Sequence, residues 1–259
     1  MEDGKYILSY PGSGRTWLFG LLGKALELHF GLDLPPVSNL RFQLLGLHRA
    51  DPRIPTIIVS HDDYPYLATI ERTMIPKRRF APYDVLFVCR DPRDTVVCCY
   101  FKHARRARMY KFPEFGGTIS EFIRHEQYGI AGIVAYLNNW SEQRDVPRSF
   151  TTIRYEDVHA DPGRELRRAL AAIGVPGVKA GTIREAVEFT RFDNLHELEG
   201  QSALGMRALH VADASDPESY HFRRGIVGGF RDYLDDADVV YANRFLRELD
   251  PMYGYGEDT

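Results

Sequence analysis

The feature that most constrains this 259-residue chain is a short apolar run that ends abruptly and is followed by a helix-start signal. Tyr6-Ile7-Leu8-Ser9-Tyr10 is stopped by Pro11-Gly12, and from Thr16 the apolar residues Leu18, Leu21, Leu22, Ala25 and Leu28 recur at helical spacing. Thr56-Ile57-Ile58-Val59 and Val85-Leu86-Phe87-Val88 are unbroken apolar runs, as expected for strands covered on both faces of a parallel sheet, and Phe150-Thr151-Thr152-Ile153 is a fourth candidate. After the third run, Asp91-Pro92-Arg93-Asp94 supplies an N-cap, a first-turn proline and a first-turn acid, so a helix begins just past Arg90. Further helices are expected from Glu121 to about Gln143, from Asp161-Pro162 to Ala172 before Gly174, and from about Asp236 to Leu249. Between Asp193 and Phe222 no periodicity is evident. A stretch of that length in a compact domain is usually functional or mobile.

Strands alternating with helices predict an α/β fold of three layers, α/β/α, with a mainly parallel central sheet, and one domain over residues 1–259. In such folds ligands gather beyond the carboxyl ends of the strands, where Tyr10, Ser60, Arg90 and Tyr155 fall.

Composition narrows the function. At 44% hydrophobic and 27% charged residues the chain reads as globular, and no apolar segment approaches the roughly 20 residues of a membrane span. A net charge of −3 provides no overall basic field for nucleic acid, so any anion site is local. Cys89, Cys98 and Cys99 form neither a disulfide framework nor a metal-ligand pattern, which points to a reducing, cytoplasmic setting. Met1-Glu2-Asp3-Gly4-Lys5 has no leader pattern, so none is expected, and no metal cluster is expected either.

The segment Tyr10-Pro11-Gly12-Ser13-Gly14-Arg15-Thr16-Trp17 lies between strand and helix, where free N–H groups and the helix dipole attract an anion. It lacks the G-x-x-x-x-G-K-[ST] spacing and its lysine, which argues against a magnesium-ATP kinase. The segment resembles the first motif, approximately Tyr-Pro-Lys-Ser-Gly-Thr-Thr-Trp, of sulfotransferases that use 3′-phosphoadenosine 5′-phosphosulfate (PAPS), matching six of eight positions. The resemblance implies a P-loop-like turn in which Gly12, Ser13, Gly14, Arg15 and Thr16 cradle the 5′-phosphosulfate and Trp17 stacks on adenine. Without the motif, a core aromatic on an amphipathic helix would be the favoured account of Trp17.

Val88 to Tyr100 resembles the family's 3′-phosphate segment, with Arg90 matching its arginine and Cys98 standing where it has serine. Packing alone is the plainer account of Cys98, whereas for Arg90, ending an apolar strand just before a helix N-terminus, phosphate binding is the stronger reading and a structural salt bridge the alternative. Phe222-Arg223-Arg224-Gly225-Ile226-Val227-Gly228 looks like the family's closing segment, so Arg223, Arg224 and Gly225 would also hold the 3′-phosphate. Tyr155, Thr190 and Phe192 fall where the family contacts the base.

His61, in Ser60-His61-Asp62-Asp63, aligns with the family's catalytic histidine and would be the general base, with Asp62 or Asp63 orienting it. Two family lysines are replaced, by Gly12 in the loop and Val59 before the histidine. Arg15 is the candidate substitute as the charge that stabilises the leaving group.

The implied reaction moves a sulfuryl group from PAPS to a hydroxyl or amine of a small-molecule or carbohydrate acceptor, releasing adenosine 3′,5′-bisphosphate (PAP). A non-catalytic nucleotide-binding protein is the alternative that the missing lysines suggest. The basic run Lys102-His103-Ala104-Arg105-Arg106-Ala107-Arg108-Met109-Tyr110-Lys111 would attract an acidic acceptor or the nucleotide, or else form a solvated helix face, the commoner fate of such runs. Acceptor contacts are expected from the loops around 62–83, 104–118 and 193–222.

Overall fold

The computed structural model describes residues 4–35, 38–62 and 74–256. Four strands, β1 (Lys5–Ser9), β2 (Ile57–Ser60), β3 (Asp84–Cys89) and β4 (Ser149–Arg154), form a fully parallel sheet in the order β2-β1-β3-β4. The register pairs Ile7 with Val59 and with Leu86, and Phe87 with Thr152. Each of the four apolar runs thus became a strand, shifted by a residue at its ends.

Alternation along the strands divides the core between the two faces of the sheet. Ile7, Leu86 and Val88 pack with Leu21, Leu22, Leu166 and Ile183, from helices α1 (Arg15–Phe30), α5 (Pro162–Ala172) and α6 (Ala180–Phe189). Leu8 and Phe87 face the other way, into a cluster with Val96, Tyr136, Trp140 and Leu246. Those partners come from α2 (Pro92–Arg105), α3 (Ile130–Glu142) and α8 (Asp236–Leu246). Between them lie the short α4 (Tyr155–Ala160) and α7 (Phe192–Gly200). This is the expected three-layer arrangement. No helix of the described residues is long and apolar enough to cross a membrane.

Two expectations need correcting. The helix expected over 121–143 is split into Ile119–Ile123 and α3. The His125 ring nitrogen accepts hydrogen bonds from the backbone N–H groups of Gln127 and Tyr128, fixing a turn that Gly129 completes. The stretch after Asp193, read as aperiodic, begins with α7, whose Leu195 and Glu199 are buried four residues apart on one face.

Chain direction fixes where a ligand can sit. From β1 the chain crosses to β2 on one side and then returns to β3 on the other, so the carboxyl ends of β1 and β3 diverge around a crevice. The Tyr10–Gly14 turn leaves β1 there, and Arg90 leaves β3 beside it.

Candidate active site

A cavity of about 840 Å³ opens at this crevice, walled by Gly12, Gly14, Arg15, Thr16, Trp17, His61, Arg90, Cys98, Tyr155, Thr190, Phe192, Arg223, Arg224 and Gly225, among others. Among the described residues predicted for the loop, the nucleotide and the base, Ser13 is not part of the wall; its side chain is buried.

The turn entering α1 has the geometry of an anion cradle. Gly12 and Gly14 take φ of 92° and 80°, a region costly for other residues. A Cβ on Gly14 would run into the Tyr155 ring, and one on Gly12 would lie 3.2 Å from the Thr95 carbonyl and 3.3 Å from Cys99 Sγ. The loop thus lies close against α2, and a side chain at position 12 would start in tight contact with it. No side-chain hydrogen bond caps the N-terminus of α1, whose first residues Arg15, Thr16 and Trp17 line the cavity.

His61 and Arg15 form a bonded unit. The His61 Nδ1 lies 2.7 Å from the Ser9 carbonyl, and its Nε2 lies 2.8 Å from Arg15 Nη2. A carbonyl can only accept and a guanidinium can only donate, so Nδ1 carries the proton and Nε2 presents its lone pair. Arg15 Nη1 also donates to the Ser60 carbonyl at 2.6 Å. Burial first, and then the Arg15 charge, holds His61 well below the ordinary histidine range, so the ring is neutral near pH 7. The expected orienting role of Asp62 is not seen. Its carboxylate pairs with Lys77 at 2.7 Å and with Arg79, and the ring is held by the backbone instead. Asp63 lies outside the described residues.

Arg90 combines both roles considered for it. It bonds Asp94 at 3.2 Å and the Ile226 carbonyl at 2.9 Å, and stacks over the Tyr155 ring at 4.1 Å, yet its buried Nε has no hydrogen-bond partner. Such an orphan donor in a cavity wall suits an incoming anion. Asp94 also accepts the Gly228 and Phe230 N–H groups, both at 2.9 Å, and so ties the C-terminal arm to α2. Read from the sequence, this residue was only a first-turn acid.

Arg223 reaches the wall while bonding Glu218 at 2.7 Å, and Arg224 does so while pairing with Asp232 at 2.7 Å. Trp17 spends its indole N–H on the Thr190 carbonyl at 3.0 Å and sets its ring edge-on to Tyr155 at 5.6 Å. Its surroundings are the cavity wall as well as the core. Phe192, 37% exposed, is not a core residue. Cys98 likewise faces the cavity, while its neighbour Cys99 is the buried thiol, donating to the Pro11 carbonyl.

The basic run does not form one solvated face. Lys102 lines the cavity, Arg106 is buried against Glu199, and only part of the remainder is exposed. Tyr110 and His221 also reach the wall, hydrogen-bonded to each other. Neither was singled out in the sequence, because their meeting depends on how 107–110 folds against the 218–222 segment.

A family profile described as the sulfotransferase domain matches residues 3–254. Flavonol 3-sulfotransferase of Flaveria bidentis is 24% identical, over 94% of this chain and 80% of that protein. Cytosolic sulfotransferase 3 of Arabidopsis thaliana is also 24% identical, over 88% and 70% respectively. Among solved structures, a mouse sulfotransferase complexed with PAP superposes with a TM-score of 0.61 at 19% identity, covering 96% of this chain and 84% of that one. A retinol dehydratase in complex with retinol and PAP gives 0.64 at 17% identity, covering 95% and 80%.

Proposed function

Since the chain belongs to the sulfotransferase domain family, whose sulfuryl donor is PAPS, we propose that it sulfates a hydroxyl of a largely apolar small molecule with His61 as general base. The observation that carries this reading is the fixed tautomer of His61: Ser9 holds Nδ1–H, leaving a neutral Nε2 in the cavity wall beside the uncapped start of α1.

The residues present fit the donor. The backbone of Gly12, Gly14 and Thr16, together with the first turn of α1, would hold the 5′-phosphosulfate, with Ser13 contributing through its main chain. Arg90 Nε, Arg223 and Arg224 would hold the 3′-phosphate, with Cys98 and the Gly225 backbone beside it. Trp17, Tyr155, Thr190 and Phe192 would flank the base.

In the reaction the acceptor oxygen forms a bond to sulfur as the bond from sulfur to the 5′-phosphate oxygen breaks. PAP leaves with that electron pair, and the acceptor proton passes to His61 Nε2. Arg15 occupies that nitrogen in this state, so the base becomes available when Arg15 exchanges His61 for an anion at the loop. There its guanidinium would stabilise charge on the leaving oxygen.

The apolar share of the cavity wall, which includes Phe19, Phe42, Phe112, Met206 and Leu209, supports an apolar acceptor, where a carbohydrate would call for a denser set of polar groups. Residues 4–256 would act as one catalytic unit. A cytoplasmic location agrees with the names of the Arabidopsis relatives and with three free cysteines. Supplying PAPS with a panel of phenols and aliphatic alcohols tests the reading. Sulfated product from the wild type and none from His61→Asn is expected, whereas a variant as active as the wild type would remove His61 as base.

A further inference from the structure

Among the described residues the cavity wall carries six cationic side chains: Arg15, Arg90, Lys102, Arg191, Arg223 and Arg224. Four of them have a carboxylate within 3.6 Å: Arg90 with Asp94, Arg191 with Glu188, Arg223 with Glu218 and Arg224 with Asp232. Arg15 is bonded to a carbonyl and to the His61 ring. Lys102 is the exception. Among the described residues it has no carboxylate partner, and its ammonium lies 5.6 Å from the centre of the Tyr110 ring. A charge partly withdrawn from water and lacking a counter-ion is expected to meet an anion in the working complex.

Its place on α2 says which anion. Gly12 is directed at the Thr95–Cys99 turn of that helix, with Cys98 Cβ 3.5 Å from where a Gly12 Cβ would be. Lys102 follows Cys98 by four residues, on the same face and about 6 Å further along the axis. The loop's anion site is therefore within the span of a four-carbon stem. His61 is also near, since the Lys102 charge, after burial and Arg15, disfavours its protonation.

We propose that Lys102 is a catalytic residue that binds the sulfonate in transit between the loop and His61, supplying from α2 the positive charge that Gly12 and Val59 do not. The inference rests on the phosphosulfate lying at the loop. Lys102 then neutralises the sulfonate oxygens while the bond from sulfur to the phosphate oxygen breaks and that from sulfur to the acceptor oxygen forms, and it exchanges no proton. A side chain at Gly12 would start in tight contact with α2, at a φ that disfavours residues other than glycine, whereas Val59 lines the same cavity from β2.

The test compares PAPS with PAP, which differ only in the sulfonate. By calorimetric titration without acceptor, Lys102→Met should weaken PAPS binding about ten- to hundredfold and leave PAP binding unchanged. Lys102→Arg should keep most of the PAPS affinity. Adding Val59→Lys to Lys102→Met should restore much of it, a rescue that a merely structural lysine would not allow. Equal losses for both nucleotides, or no loss for either, would overturn the proposal, provided the variant melts like the wild type. If Lys102→Met unfolds, the comparison passes to Lys102→Gln, with the same outcomes deciding. A wild-type protein that bound neither nucleotide would instead remove the donor site, and this inference with it.

Discussion

The two ends of the cavity differ in how their positive charge is held. At the end formed by β3 and the C-terminal arm, Arg90, Arg223 and Arg224 each sit against a carboxylate, and Asp94 bonds both Arg90 and the arm's backbone. At the β1–β2 end, Arg15 is held by a carbonyl and an imidazole, and Lys102 has no carboxylate among the described residues. Arginines already neutralised by acids are fixed in place and can accept a spectator phosphate at little reorganisation cost. Lys102, with no acid among the described residues, keeps its field for charge that arrives or develops during reaction. The proposed function assigns binding to the first end and chemistry to the second.

The largest effect should come from the chemical end. His61→Ala should lower kcat by about a thousandfold with little change in PAP affinity, and a comparable loss of PAP binding would erase the distinction between the ends. Next comes the frame behind the wall. Glu199 accepts the His221 and Phe222 N–H groups, at 2.5 and 2.8 Å, and pairs with the buried Arg106 at 3.2 Å. Arg106 in turn donates to the Ala208 and His210 carbonyls. Glu199→Ala would strand that guanidinium and should cost about 3 kcal/mol of stability, read by urea unfolding. At the binding end, Arg90→Met should weaken PAP about ten- to hundredfold, with a smaller loss of kcat at saturating donor.

The smallest effect is in pH dependence. With His61 held below the ordinary value of about 6.5, the base is already unprotonated at neutral pH. The acid limb of kcat/KM should therefore lie below that value, and a midpoint above it would place the base elsewhere. The linked stability has a definite sign. The unfolded chain binds the proton more readily, so the contribution of His61 is complete above about pH 6.5 and is lost as the pH falls below it. His221, lowered by burial and then by Lys102 and Arg106, acts in the same direction.

What could be read in the sequence follows from the range of the interactions involved. The four strands and the start of α2 rest on neighbouring residues: apolar runs, and Asp91 capping the Arg93 N–H at 2.8 Å. The Gly12 loop, Arg90 and His61 were found because motif spacing is local as well. The orientation of His61 was not, because the Ser9 carbonyl that holds it lies 52 residues away, while the adjacent Asp62 is drawn off to Lys77 and Arg79. The role of Asp94 likewise depends on N–H groups at 228 and 230. Lys102 was visible only as one charge in a basic run. Its separation from Arg106, one to the cavity and one to a buried ion pair, required the packing around α2.

The most direct measurement is calorimetric titration of the protein with PAP, against ADP and magnesium-ATP as controls. The account predicts clear preference for PAP, reduced by Arg90→Met and unaffected by His61→Ala. Equal binding of all three, or preference for magnesium-ATP, would contradict it, since the cavity would then lack the 3′-phosphate site on which the assignment of its two ends depends.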